Sequence, residues 1–224
     1  MRYLILIADI DEFNPCRESL GDIVKKEYKI KHMPAFDFTY NNHECTAVCF
    51  GIGKVNAALG AALALNYDEF DGVINTGWSG AVSGVHKGDI VVSDSCVECD
   101  FDLTAIGYPL GKKPQEVYVY EADKTLLEAA LKVEGMKTAA CGCGDLFLAD
   151  KDKKNLFKET FNINEFDMET GAEASVCHDA GVPFLAIRQI SDTADDTAAD
   201  SYRELNDAQP VDLTLIIKKI IELL

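Results

Sequence analysis

Repeatedly along this chain an apolar run of strand length breaks off into a short turn of glycines or acids. Tyr3 to Ala8 stops at Asp9, Glu44 to Phe50 at Gly51, Gly72 to Thr76 at Gly77, Met136 to Cys143 at Gly144, and Val182 to Ile187 at Arg188. Short continuous apolar runs are what strands buried on both faces look like, and parallel strands need crossover segments, usually helices, between them. Helix-compatible stretches do lie between the runs: Cys16 to Lys25, Ala57 to Tyr67, Ala122 to Val133, Lys151 to Thr160 and Ser175 to Ala180. The pattern therefore predicts an α/β protein, a three-layer αβα sandwich around a central mixed, largely parallel sheet. No composition break divides it, so residues 1–224 read as a single domain. In such folds ligands bind beyond the carboxyl ends of the strands, where these turns gather.

Further elements follow from local signals. Phe36 to Tyr40 and Glu44 to Gly51 form a strand pair across Asn41-Asn42, a turn-forming dipeptide. Lys87 to Ser93 gives a turn and a strand, and Asp100 to Pro114 a long loop. Phe166 to Ala174 reads as a helix start crowded with acids, Thr193 to Asp200 as a lid or an exposed turn, and Val211 to Leu224 as a closing amphipathic helix.

Composition removes several classes of function. The formal charge of -17, from 38 acids against 21 Lys and Arg, repels phosphate backbones and anionic membranes. No nucleic-acid or membrane partner is expected. The apolar runs fall short of the roughly 20 residues that cross a bilayer. The early apolar run passes straight into Asp9, Asp11 and Glu12, unlike a secretory leader, so a cytoplasmic protein is expected. The eight cysteines mostly sit inside strand-like runs and read as reduced, buried thiols. Cys96-x-x-Cys99 and Cys141-x-Cys143 match no zinc spacing, so no metal and no cofactor are expected.

The strand ends collect Glu12, Glu169, Arg188 and Asp192 beside the apolar Phe147 and Met168, with backbone donors from Gly51-Ile52-Gly53 and Gly77-Trp78-Ser79-Gly80. Three of the four histidines stand in loops or turns and His178 inside a helix, and all four read as structural, which argues against a Ser-His-Asp arrangement. Paired carboxyl groups around an aromatic wall suit a sugar ring beside a flat heterocycle, one carboxyl as acid and another as base.

These residues carry a resemblance. Over nearly its whole length the chain resembles the nucleoside phosphorylase and nucleosidase superfamily, most closely the 5'-methylthioadenosine/S-adenosylhomocysteine nucleosidases. The matching pieces, in order, are the early strand with Glu12, Gly51 to Val55, Asn75-Thr76-Gly77, Gly88 to Asp94, Asp102 to Tyr108, Gly144 to Phe147, Met168-Glu169, and Val182 through Asp192.

The resemblance implies a purine nucleosidase that hydrolyses the N-glycosidic bond of a 5'-substituted adenosine. It makes Asp192 the donor of a proton to adenine N7, Glu12 the general base on the attacking water, and Arg188 the group that orients the water and the ribose-binding carboxylate. Glu169 holds the ribose hydroxyls above Met168, Phe147 stacks on adenine, and the backbone around Leu148 reads its edge. Ile52, Trp78 and Ser191 complete the substrate contacts. Tyr202 lines the 5' end together with Ile106 and Pro114 of a second subunit, which implies a homodimer.

Some residues depart from the family pattern. Trp78 stands in place of a small serine, where it either fills the acceptor site and favours water, or reshapes the ribose site. Asp167-Met168-Glu169 replaces Glu-Met-Glu, and Asn75 stands where the related phosphorylases carry a phosphate-binding arginine. Hydrolysis is therefore preferred to phosphorolysis, with a weakly active nucleoside-binding protein as a third reading. Asp167 and Glu173 are expected to be no more than favourable charges at a helix start.

Overall fold

The computed structural model describes residues 1–208 and 212–224, with 206–208 in backbone only. The strands are β1 (Arg2–Ile7), β2 (Val24–Ile30), β3 (Met33–Tyr40), β4 (His43–Cys49), β5 (Gly72–Ala81), β6 (Ile90–Glu98), β7 (Tyr120–Glu121), β8 (Lys137–Cys143), β9 (Glu165–Asp167) and β10 (Phe184–Asp192). The helices are α1 (Ile10–Leu20), α2 (Lys54–Tyr67), α3 (Lys124–Leu131), α4 (Lys151–Phe161), α5 (Thr170–Ala180), α6 (Ala198–Ala208) and α7 (Thr214–Glu222).

All the strands join one mixed sheet. From its outer edge it runs β2, β3, β4, β1, β5, the first two ladders antiparallel and the next two parallel. At β5 the sheet forks. One side of β5 pairs in parallel with β10, and its end pairs antiparallel with β9. The strands β10, β6, β8 and β9 then pair in turn, so the sheet closes on itself and leaves these strands without a free edge. The remaining edge, β2, carries exposed Lys25, Lys26 and Lys29, charges that oppose edge-to-edge pairing.

Helices cover both faces. Phe13 and Leu20 of α1, Leu126 and Ala129 of α3, and Ile217 and Ile221 of α7 pack on Ile5, Ile7, Ile74 and Ile187. On the opposite face Ala57, Ala61 and Ala64 of α2 and Ala172 and Cys177 of α5 pack on Leu4, Leu6, Val73 and Ala186. The expected layered α/β architecture is present. The Asn41-Asn42 turn has both residues at positive φ, 48° and 63°, as a two-residue hairpin of this twist requires.

Several elements differ from expectation. Strand β5 continues through the expected glycine turn to Ala81, and β10 continues past Arg188 to Asp192. The first helix begins earlier and ends at Leu20, because Asp9 caps it by accepting from the Asp11 N–H and Gly21, at φ 51°, ends it. Val24–Ile30 is then a strand, its charges alternating with Tyr28 and Ile30 along a half-exposed edge. The acid-crowded stretch is split: Glu165–Asp167 is a short strand, and helix α5 begins after Glu169. The stretch after Asp192 leads into a helix from Ala198, with Ala194 and Ala198 buried. The last helix is described from Thr214, and Val211 lies outside the described residues.

Close packing of α2 on the sheet depends on Gly60. A Cβ built there lies 2.4 Å from Cβ of Phe50, an atom fixed to the backbone at the end of β4. Gly60→Ala is expected to destabilise the fold despite the better helix propensity of Ala, by about 1–2 kcal/mol after the two effects offset. Thermal unfolding should show a fall in Tm of several degrees.

Candidate active site

Where β1, β4, β5 and β10 end, a cavity of about 280 Å³ opens. Every expected site residue of this chain lines it except Ile106 and Pro114, which lie on the surface of the long loop. In the sheet order β1 and β10 flank β5, so Glu12, just after β1, and Asp192, ending β10, stand on either side of the Gly77–Gly80 segment.

Glu12 sits in the first turn of α1. Its Oε1 accepts from the Trp78 backbone N–H at 3.1 Å. Gly77 makes this approach possible, since a Cβ there lies 3.0 Å from Oε2. Burial pushes the Glu12 carboxyl up to about 8; the Trp78 N–H and Arg188 oppose the shift, and Glu169 and Asp9 add to it.

Asp192 is held from two directions. Ser191 Oγ donates to Oδ2 at 2.6 Å and the Ala194 N–H to Oδ1 at 2.7 Å. Gly80 again leaves the room, with its notional Cβ 2.9 Å from Oδ1. Burial raises the Asp192 carboxyl above the usual range against the pull of both hydrogen bonds.

The glycine loop before α2 was expected to offer its N–H groups to a ligand. It offers them to the protein's own acids: Gly53, at φ 93°, donates to Glu169 Oε1 at 2.8 Å, and Lys54 donates to Asp145 Oδ1 at 2.7 Å. Glu169 is thereby aimed along the cavity wall. Burial lifts its carboxyl to about 7, helped by the charge of Asp167.

Arg188, at 2% exposure, lies under this floor. Its Nε and Nη2 reach Asp167 Oδ2 at 2.9 and 2.7 Å, Nη1 donates to the Ile187 carbonyl, and Nη2 also meets Asn75 Oδ1 and Thr170 Oγ1. The expected partner of Arg188 was the ribose-binding carboxylate Glu169; the observed partner is Asp167. Burial pulls the guanidinium pKa down, but Asp167 and further acids, Glu165 and Glu173, raise it on balance. Asp167 and Glu173 are thus not solvated helix-start charges. Asp167 Oδ1 accepts from the N–H groups of Glu169 and Thr170, and Glu173, at 0% exposure, accepts from Asn75 Nδ2.

Apolar groups form the rest of the wall. Phe147, 46% exposed, meets Tyr202 edge to face at 5.8 Å, while Ile52 and Met168 line the cavity and Leu148 is buried behind. The half-buried Trp78 packs against the core on the α1 and α7 face. Among the described residues no cluster of three or more metal-ligating side chains occurs.

With this geometry in view, similarity to known proteins is informative. The family model described as "Phosphorylase superfamily" matches residues 2–221. The chain is 35% identical over 187 residues to a 5'-methylthioadenosine/S-adenosylhomocysteine nucleosidase of Haemophilus influenzae (strain PittEE), covering 80% of this chain and 82% of that protein. The chain belongs to this nucleosidase family of the phosphorylase superfamily.

Solved structures agree with the family. A Helicobacter pylori 5'-methylthioadenosine/S-adenosylhomocysteine nucleosidase, complexed with an aminopyrrolopyrimidine joined to a thioether-bearing pyrrolidinol, superposes with a TM-score of 0.94 at 26% identity, covering 100% of this chain and 99% of that one. A native structure of futalosine hydrolase from H. pylori strain 26695 gives the same TM-score and identity over 100% and 98% of the two chains. The nucleosidase fold thus accounts for the whole described chain. Within it, Asp167 and Asn75 line the cavity and Glu173 lies buried against Asn75, a connection that the reading of Asp167 and Glu173 as helix-start charges had missed.

The raised carboxyl groups set a pH dependence of stability. Glu12, Glu165 and Glu169, lifted to about 8, 7 and 7, bind protons more tightly folded than unfolded. Their contribution is complete below the unfolded value near 4.5 and is lost as pH rises through 7 to 8. Urea midpoints are expected to fall between pH 5 and about 8, and Glu12→Gln should flatten part of that slope.

Proposed function

We propose that this chain hydrolyses the N-glycosidic bond of a 5'-substituted adenosine, 5'-methylthioadenosine or S-adenosylhomocysteine, releasing adenine. The observation that carries the reading is the pair Glu12 and Asp192: carboxyl groups of one half-buried and one buried residue, each oriented by a backbone N–H, flanking β5 in one cavity with aromatic walls. Asp192, its pKa raised, gives its proton to N7 of adenine. Glu12 takes a proton from water, whose oxygen attacks C1' as the bond from C1' to N9 breaks. The products are adenine and the 5-substituted ribose. Positive charge growing on the ribose is met by Glu169, which also accepts the ribose hydroxyls, over Met168. Phe147 offers a face for the purine, and Leu148, Ser191 and Ile52 bound it.

Water as acceptor is favoured by the charges present. A phosphate dianion needs free cationic donors, whereas Arg188, the cation lining the cavity, directs its donors to Asp167, Asn75, Thr170 and the Ile187 carbonyl. Adenine should be released from 5'-methylthioadenosine in phosphate-free buffer, and strict phosphate dependence would overturn the reading. Asp192→Asn and Glu12→Gln should each lower kcat by roughly 10²–10⁴. The free-enzyme profile of kcat/KM should rise with pH through about 8 as Glu12 ionises. Asp192→Asn at wild-type rate would remove the acid role.

A second copy of the chain fits the exposed apolar surface beside the cavity. Ile52, Val55 and Leu59 at the start of α2 and Ile106 on the long loop are 52%, 76%, 45% and 69% exposed. In a homodimer this surface is buried, and Ile106 and Pro114 close the 5' end of the neighbouring site. Sedimentation should give a dimer, and Val55→Asp should yield monomers with a raised KM; a wild-type monomer with full activity would refute the assembly. The buried thiols, all unpaired, suit a reducing cytoplasm, which cell fractionation checks.

A further inference from the structure

Glu173 is an acid where α5 faces the sheet, at 0% exposure, between Ala172 and Ala174, which belong to the apolar core of that face. Such a position ordinarily takes an apolar side chain. The carboxyl is incompletely satisfied as well: Oε1 accepts from Asn75 Nδ2 at 3.2 Å, and Oε2 is buried without a hydrogen-bond partner among the described residues. An apolar residue of the same size would avoid both the desolvation and the unpartnered oxygen. Packing therefore does not account for this acid.

Its one partner leads to the active site. Asn75 Nδ2 donates to the Leu6 carbonyl at 3.1 Å and to Glu173. With both amide hydrogens so directed, Asn75 Oδ1 must turn the other way, where it accepts from Arg188 Nη2. Asn75 and Arg188 both line the cavity. We propose that Glu173 is a positioning residue for Arg188, acting through the side-chain amide of Asn75. The proposal rests on the hydrolysis described above and on the part that the family resemblance gives Arg188 in it, orienting the attacking water and Glu169. Burial raises the Glu173 carboxyl well above the usual range, while Arg188 pulls the other way and Glu169 and Asp167 add to the rise. A neutral carboxyl keeps its carbonyl oxygen for Asn75, and a glutamine side chain presents the same acceptor.

The test is steady-state kinetics with thermal unfolding on the full chain. Glu173→Leu should lower kcat roughly ten- to a hundredfold, leave KM within about twofold, and hold Tm at or above wild type because a buried acid has been replaced by an apolar group. Glu173→Gln should recover most of kcat. In an Arg188→Ala background, Glu173→Leu should cost nothing further, since the group it positions is gone. Unchanged kcat in Glu173→Leu, a kcat loss accompanied by a Tm lower by many degrees, a Gln variant as slow as the Leu one, or independent losses in the double variant would each overturn the proposal. Arg188→Ala at wild-type rate would instead remove the role of Arg188 itself, and the positioning role with it.

Discussion

The ion pair between Arg188 and Asp167 fixes the centre of this protein, and both groups are almost completely removed from water. Burying a charge costs several kcal/mol unless a partner of good geometry compensates it. Here Asp167 supplies two contacts to the guanidinium and also accepts from the backbone N–H groups of Glu169 and Thr170. One carboxylate thus ties the middle of β10, the end of β9 and the start of α5 together. The direction in which Glu169 leaves the backbone follows from that junction, and Gly53 completes it from the side of α2.

Around this pair the balance of charge is lopsided. Glu165, Asp167 and Glu173 all act on a single guanidinium, and Glu12 and Glu169 feel it as well. One cation cannot ionise so many buried acids, so burial keeps protons on several of them near neutrality. For a glycosidic reaction that is an asset. A leaving purine needs a carboxyl that still holds its proton, and an attacking water needs one that can accept a proton without being a strong acid. The same stock of acid favours a cationic ribose and resists an anionic acceptor, so the electrostatics that tune the carboxyls also select water.

The apolar strand runs were legible because buried parallel strands leave an unmistakable apolar signature, although β5 runs on through its glycines to Ala81 where a turn was expected. Gly77 and Gly80 make way for Glu12 and Asp192. What was not legible has physical reasons too. Strand β2 is an exposed edge, so its charged residues blur the period that marks a strand. Strand β9 spans three residues, too few for any period. Asp167 and Glu173 looked like solvated helix-start charges because acids there are normally favourable, and nothing local reveals that Arg188, distant in sequence, would be packed against them. Ile106 and Pro114 lie on the surface outside the cavity, and the proposed homodimer is what would give them a place at a site.

Trp78 illustrates how backbone and side chain divide the work at one position. The contact that orients Glu12 comes from the Trp78 main-chain N–H, which any residue but proline supplies. The indole itself packs on the core at the α1 and α7 face, beside the cavity. A bulky ring in place of a small serine therefore leaves the orientation of Glu12 intact. Under the proposed mechanism the hydroxyl of a serine at this position is missing, so holding the attacking water falls to the Glu12 carboxyl. The raised value of Glu12 near 8 suits the general-base role proposed for it, since a desolvated carboxylate with few donors is a stronger base than a solvated one.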